Sequence, residues 1–414
     1  MVRHLPPLVV ALGCLLTPTL RAADPPQAED FLIAGKLAEG ERELNNYLRS
    51  HPTDDGARFG LGALQFVRSV EHLAQSLYQF GALGGETNLA RQLPLLRLPV
   101  PENPKPDKVR YADVRRMLQN MVDDLARSEA TLAKVQDQRV KLPLHFGQIR
   151  LDIDGNGKTE DHEVLWKLYA QINRGARLEE TKAFAQDFVI VFDYGDVYWL
   201  RGYCHLLSAM CETALLYDEQ PLFDAVAHQI FANPDTPQFP PALLRNGGDN
   251  FENQIADVIA AIHLARFPVK EPQRGAAVVE HFEQVVALSR KSWLAIGAET
   301  DNDHEWIPNP QQTSVIPGVR VTQEMIDGWH EFLEEFEAIL QGRKLLQHWR
   351  LSPKYGINMR RVFLEPREFD LVMWAHGAAA MPYLEEGECS QPETWNRLNR
   401  IFRGEFIGFA IWFN

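Results

Sequence analysis

The sequence predicts a mainly α protein, a multi-helix array or bundle with few short strands. Three observations lead there. Apolar residues recur at three-to-four spacing along most of the chain, the period of helices that bury one face. Prolines gather in a few clusters, so long stretches between them are free to be helical. Runs with the strict alternation of a strand are scarce. Of the 414 residues, 45% are hydrophobic and 24% charged, the balance of a folded chain with a sizeable core.

At the N-terminus, Arg3 and His4 precede an apolar run from Leu8 to Leu16, and Ala22 and Ala23 offer small residues for cleavage. Residues 1–23 therefore read as a secretory signal peptide, and the run is too short to span a bilayer. Ala11-Leu-Gly-Cys14 has the outline of a lipoprotein box, but the apolar run continues past Cys14, which argues against acylation there. The expected mature protein is secreted or periplasmic, with no transmembrane segment.

Helical periodicity then covers Phe31–Leu48, Ala57–Phe80, Val109–Val135, Val164–Ile172, Val197–Leu216, Asn253–Ala265, Ala276–Ile296 and Met325–Trp349. Asp54 or Asp55, Asp196 and Thr322 are the expected N-caps of the second, fifth and eighth of these. His145–Ile153 alternates like an extended segment, while Phe188–Phe192 and the aromatic run Phe406–Phe413 admit either state. Pro94, Pro99, Pro101, Pro104 and Pro106 divide an N-terminal helical segment, residues 24–93, from a helical body, residues 107–414. The proline-bearing stretches Asn233–Pro241 and Trp306–Pro317 read as loops over that body.

Within residues 28–82, Leu61-Gly62, Ala74, Tyr78 and Gly81 fall at fixed offsets, Gly40 lies 34 residues before Ala74, and Pro52 suits the end of a unit. The segment resembles the tetratricopeptide pattern, although Arg58 and Gln65 stand where aromatic residues are usual. The resemblance implies packing or interaction with a protein or peptide partner.

One stretch spells out a chemistry: Asp152-Ile-Asp-Gly-Asn-Gly-Lys-Thr-Glu-Asp-His-Glu163. Oxygen-bearing side chains alternate at Asp152, Asp154 and Asn156, Gly157 stands where the chain must turn sharply, and Glu163 can grip a cation with both oxygens. These twelve residues resemble an EF-hand loop. The resemblance implies a calcium ion held by side-chain oxygens of Asp152, Asp154, Asn156, Glu163 and Glu160, the last through water, and by the backbone carbonyl of Lys158. Thr159 departs from the pattern, standing where an aliphatic residue usually pairs with a partner loop. The approach is strand-like rather than helical. On the exit side, Val164, Leu165, Trp166, Leu168, Tyr169 and Ile172 predict a helix. Asp301-Asn-Asp303-His304-Glu305 is no second loop, because Trp306 occupies the turning position. A lone site points to a structural clip rather than a paired sensor.

Other chemistries lack their signatures. There is no phosphate-binding glycine loop, no nucleophile elbow and no Cys-x-x-Cys pair, and His162-Glu163, His304-Glu305 and His330-Glu331 each lack the second histidine of a zinc-protease helix. A formal charge of −14 without a basic stripe argues against nucleic acid. Cys204 and Cys211 are seven residues apart in a predicted helix, about 10.5 Å, too far to bridge each other, which leaves Cys389 as a partner for either. The catalytic candidates are Asp301, Asp303, His304 and Glu305, a set suited to metal-dependent or acid–base hydrolysis. Glu365, Arg367 and Asp370 beside Trp374 and His376 form a weaker set, and Trp329, Trp349 and Trp374 are candidates for a pocket wall or for the core. The sequence thus predicts an exported, calcium-binding helical protein with a scaffold or binding role, with a hydrolase as the alternative.

Overall fold

The computed structural model describes residues 25–83, 98–167, 188–236, 251–316 and 318–413. The expected signal peptide and the exit-helix residues Leu168, Tyr169 and Ile172 lie outside the described residues. The chain is predominantly helical, as its periodicity predicts. In chain order the helices are α1 (Ala28–Ala34), α2 (Leu37–Ser50), α3 (Asp55–Gln79), α4 (Tyr111–Leu132), α5 (Tyr194–Leu216), α6 (Gln220–Val226) and α7 (Phe251–Leu264). They continue with α8 (Arg274–Ala298), α9 (Gln323–Leu340), α10 (Met359–Leu364), α11 (Leu371–His376), α12 (Pro392–Ile401) and α13 (Phe406–Phe413). Extended structure among the described residues includes three short antiparallel ladders: β1 (Leu142–Leu144) on β2 (Ile190–Phe192), β3 (Arg266–Phe267) on β5 (Phe369–Asp370), and β4 (Tyr355–Ile357) on β6 (Leu384–Glu386). No described helix is long and apolar enough to cross a membrane.

Helices α3, α4, α5 and α8 pack successively, and α9 covers α8. Their apolar faces form a main core that gathers Leu61 and Leu64 of α3, Leu132 of α4, Val197 of α5, Trp293 of α8, Trp329 of α9 and Phe409 of α13. A second core fills the other end of α3, α4 and α5, around Leu77, Leu125, Cys204 and Cys211, with Phe223 of α6. Each fully buried leucine or valine contributes roughly 1.5–3 kcal/mol, so the array needs no disulfide. Cys204, Cys211 and Cys389 are all buried and free.

Three boundaries differ from the sequence reading for identifiable reasons. The helix predicted over Phe31–Leu48 is two helices. Gly35 adopts φ 64° and ends α1, and the Lys36 N–H turns back to the Phe31 carbonyl at 2.9 Å. The helix predicted to run to Trp349 stops at Leu340, where Gly342 takes φ 71°. The expected cap Asp196 is the third residue of α5, and Asp193 is the cap: its Oδ1 accepts from the Gly195 N–H at 2.8 Å while Asp196 Oδ2 accepts from the Asp193 N–H at 3.0 Å. That reciprocal arrangement is a capping box. The other two caps are Asp54, which accepts from the Ala57 N–H at 2.9 Å, and Thr322, which accepts from the Met325 N–H at 3.3 Å.

The extended segment predicted over His145–Ile153 begins earlier, in β1, and a 3-10 turn at Phe146–Gln148 interrupts it. Its second half keeps the alternation, with Ile149, Leu151 and Ile153 buried. Where the tetratricopeptide pattern expects an aromatic residue, Gln65 donates to Glu41 Oε1 at 3.0 Å and accepts from Thr131 Oγ1 at 2.7 Å. A buried polar contact thus joins α2, α3 and α4 at the position of the missing ring.

Candidate metal centre

Because side chains alternate along an extended chain, burying Ile149, Leu151 and Ile153 turns Asp152 and Asp154 to one common face. The chain then reverses through Gly155 and Gly157, both left-handed, and at Gly157 the φ of 79° is one that other residues rarely adopt. Hydrogen bonds inside the loop fix the carboxylates. Gly157 N–H donates to Asp152 Oδ2 at 3.0 Å, Asn156 N–H to Asp154 Oδ1 at 3.0 Å, and Lys158 N–H to Asn156 Oδ1 at 2.8 Å. After a 3-10 turn at Asp161–Glu163 the chain returns beside the entry: Leu151 N–H donates to the Glu163 carbonyl at 3.1 Å, and Leu165 N–H to the Ile149 carbonyl at 2.8 Å. Residues 165–167 begin the predicted exit helix.

Glu163 is fully buried beneath the loop. Its Oε1 accepts from the Ile153 N–H at 2.7 Å and its Oε2 from the Glu160 N–H at 2.6 Å. Asp152, Asp154 and Glu163 each bring a carboxylate oxygen within 4.8 Å of the others. Asp152 Oδ1 is buried there without a hydrogen-bond partner. Burial, with the adjacent Asp154 charge adding to it, raises the Asp152 carboxyl above its usual range. An ion 2.3–2.6 Å from each ligand can join oxygens up to about 5 Å apart, so this all-oxygen set fits a hard divalent cation.

The remaining predicted ligands are less gathered. Asn156 is exposed and spends its amide on Asp154 Oδ2 at 2.8 Å. Glu160 is exposed and faces His162, with Oε2 and Nδ1 3.4 Å apart, and Lys158 is exposed on the turn.

What the loop rests on is not visible in its own twelve residues. Glu71 Oε1 of α3 accepts from the Asp152 N–H at 2.9 Å, and Gln75 Nε2 donates to the Asp152 carbonyl at 2.8 Å. Burial, then the Asp152 charge, raises Glu71 to about 7. Thr159, the departure from the pattern, docks on the α1–α2 junction. Its Oγ1 donates to the Ala34 carbonyl at 3.3 Å, and a Cβ at Gly35 would lie 2.1 Å from its Cγ2. Gly35 therefore has two duties, ending α1 and making room for the loop. A groove of about 560 Å³ between α3 and α4, walled by His72, Gln75, Asp123 and Asp124, opens beside Asp154.

The catalytic candidates are split. Lys141 Nζ donates to Asp301 Oδ2 at 2.6 Å and to Asp303 Oδ2 at 3.0 Å on the surface, and His304 is exposed with φ 62°. Glu305 turns the other way, is buried, and meets Asp193 and Glu299, their carboxylate oxygens again within 4.8 Å. Sequence reasoning missed this group because Asp193 lies far upstream of the stretch that holds Glu299 and Glu305, and Glu305 reads with the acids beside it. Of the weaker set, Asp370 caps α11 by accepting from the Met373 N–H at 2.9 Å, and Glu365 pairs with Arg361 at 2.7 Å. Trp329 is core, Trp374 stacks on Tyr383, and Trp349 is 80% exposed, so the three tryptophans line no common wall.

The buried acids make stability depend on pH. Burial, then the Asp193 charge, pushes Glu299 up to about 9, and the same causes raise Asp196. The folded chain therefore binds this proton more tightly than the unfolded chain does. The resulting stability is full below the ordinary glutamate value of 4.5 and is lost as pH rises through about 9. In Glu299→Gln the amide cannot ionise but keeps an oxygen for Gln312 Nε2, which lies 3.2 Å from Glu299 Oε2. Thermal unfolding across that window is expected to show a flatter pH profile for Glu299→Gln than for the wild type; equal slopes would contradict the assignment.

No protein-family model, no curated protein sequence and no solved structure matches the chain. The functional reading rests on these residues.

Proposed function

We propose that residues 152–163 bind one calcium ion, which acts as a structural clip in an exported helical protein with a scaffold or binding role. The reading rests on Asp152 Oδ1, a buried carboxylate oxygen with no donor, beside two further carboxylates. An unpaired buried acceptor is costly, and a cation relieves that cost together with the repulsion among Asp152, Asp154 and Glu163. Bound there, calcium would supply positive charge to the oxygens that Asp152, Asp154 and Glu163 provide, and no reaction chemistry.

The chain's residues do the rest. Glu71 and Gln75 hold the Asp152 backbone to α3, Thr159 holds the turn to the α1–α2 junction, and Glu163 ties the end of the loop to its entry. Fixing the loop therefore fixes three separate parts of the N-terminal half. The clip reading is favoured over a switch because the loop docks on the end of α1 and on α3 rather than on a second calcium loop that could open with it. Export rests on the apolar run and small residues of the N-terminus. Calorimetric titration of the calcium-free protein tests the reading, with one ion expected per chain.

A further inference from the structure

Helices α5 and α8 pack along most of their length, and there two histidines 76 residues apart in sequence meet: His205 Nδ1 and His281 Nδ1 are 2.8 Å apart. Their rings lie 5.1 Å apart between centroids and are inclined by 50°. Behind His205, its Nε2 lies 3.7 Å from Glu129 Oε1 of α4. Arg201, one turn earlier on α5, grips that same oxygen at 2.8 Å and 2.9 Å through two of its nitrogens. A carboxylate facing Nε2 draws the ring proton to that nitrogen and leaves the Nδ1 lone pair of His205 directed at His281.

His281 then has two tautomers. With its proton on Nδ1 it donates to His205. With its proton on Nε2, two lone pairs face each other, an arrangement that only a cation between them makes favourable. The charged groups around the pair are Glu129 of α4, Arg201 and Glu212 of α5, and Glu280 of α8, and Arg274 neutralises Glu212 at 2.7 Å. Burial, then the neighbouring His205, holds His281 below the ordinary histidine range. That favours the neutral, metal-binding form of the ring at neutral pH.

We infer that His205 and His281 form a two-imidazole clamp for a borderline divalent cation, Zn²⁺ by preference, with Glu129 as the carboxylate behind the first ligand. Zn–N bonds of about 2.0–2.1 Å at the tetrahedral angle set the two nitrogens about 3.3 Å apart, so the Nδ1 atoms must part by about 0.5 Å and each ring must swing until its lone pair points about 35° off the line that now joins them. Water completes the coordination. Imidazole nitrogens suit zinc, whereas the all-oxygen loop suits calcium, so the two sites select different ions.

The test is calorimetric titration of Zn²⁺ into the full chain with calcium in excess, so that the carboxylates of the 152–163 loop are occupied. One zinc per chain is expected for the wild type and none at this site in His205→Ala or in the conservative His281→Gln. Glu129→Gln is expected to weaken binding about 10- to 100-fold, the usual effect of losing the carboxylate behind a ligand. Co²⁺ in place of zinc should give visible bands without thiolate charge transfer, although Cys204 adjoins His205 in sequence. Zinc uptake by the wild type no greater than by His281→Gln would overturn the clamp, as would a thiolate signature in the cobalt spectrum.

Discussion

Glu163→Gln is expected to make thermal unfolding of this protein indifferent to calcium. In the wild type, calcium at a hundred times its dissociation constant adds about 2.7 kcal/mol to the folded state, and chelator removes it. The substitution takes away one oxygen of a buried carboxylate on which both turns of the loop depend. Without calcium, Glu163 Oε1 and Oε2 accept from the Ile153 and Glu160 N–H groups at 2.7 and 2.6 Å. A glutamine has one carbonyl oxygen for those two donors, so the calcium-free variant is also expected to lose about 1–3 kcal/mol. Asp152→Ala separates the two effects. It removes the unpaired Oδ1 and one loop hydrogen bond from Gly157, and should abolish the calcium response at a smaller calcium-free cost. A wild-type melting temperature that ignores both calcium and chelator would sink the clip reading.

Trp329→Ala is expected to cost about 3–5 kcal/mol, the range for deleting a large core aromatic. The indole is 1% exposed and donates to Ser289 Oγ of α8 at 2.9 Å. Its ring lies 4.9 Å from Phe332 of α9 and 5.4 Å from Phe409 of α13. It therefore joins α8, α9 and the C-terminal helix, and truncation leaves a cavity at the point where all three meet. Trp349→Ala is the control. That ring is 80% exposed, and its loss should fall within about 0.5 kcal/mol. Urea unfolding of the two variants separates a core tryptophan from a surface one; similar costs would contradict the packing described for α9.

The sequence carried the long helices well because their apolar stripes are amphipathic over many turns, as in α3, α4 and α8. It did not carry their ends. Gly35 reads as a tolerable glycine inside a helical pattern until Thr159, 124 residues later, is seen to occupy the space its missing side chain leaves. In the sequence Asp196 reads as the cap, but the cap is Asp193, and what assigns it is the pair of reciprocal hydrogen bonds.

The calcium loop was the most legible site, since turn glycines and alternating oxygens are local features. Its supports, Glu71, Gln75 and the α1–α2 junction, come from distant parts of the chain and leave no mark on the loop's spacing. The same limit hid the meeting of Asp193, Glu299 and Glu305 and that of His205 and His281. Each joins residues on separate elements, and only the packing of α5 against α8 and the loop after α8 brings them together.

Calorimetric titration of calcium into the calcium-free wild-type chain, run beside Glu163→Gln, tests the central claim most directly. One ion per wild-type chain and no specific heat for the variant is the predicted result. No saturable binding by the wild type, or binding that survives Glu163→Gln unchanged, would contradict it.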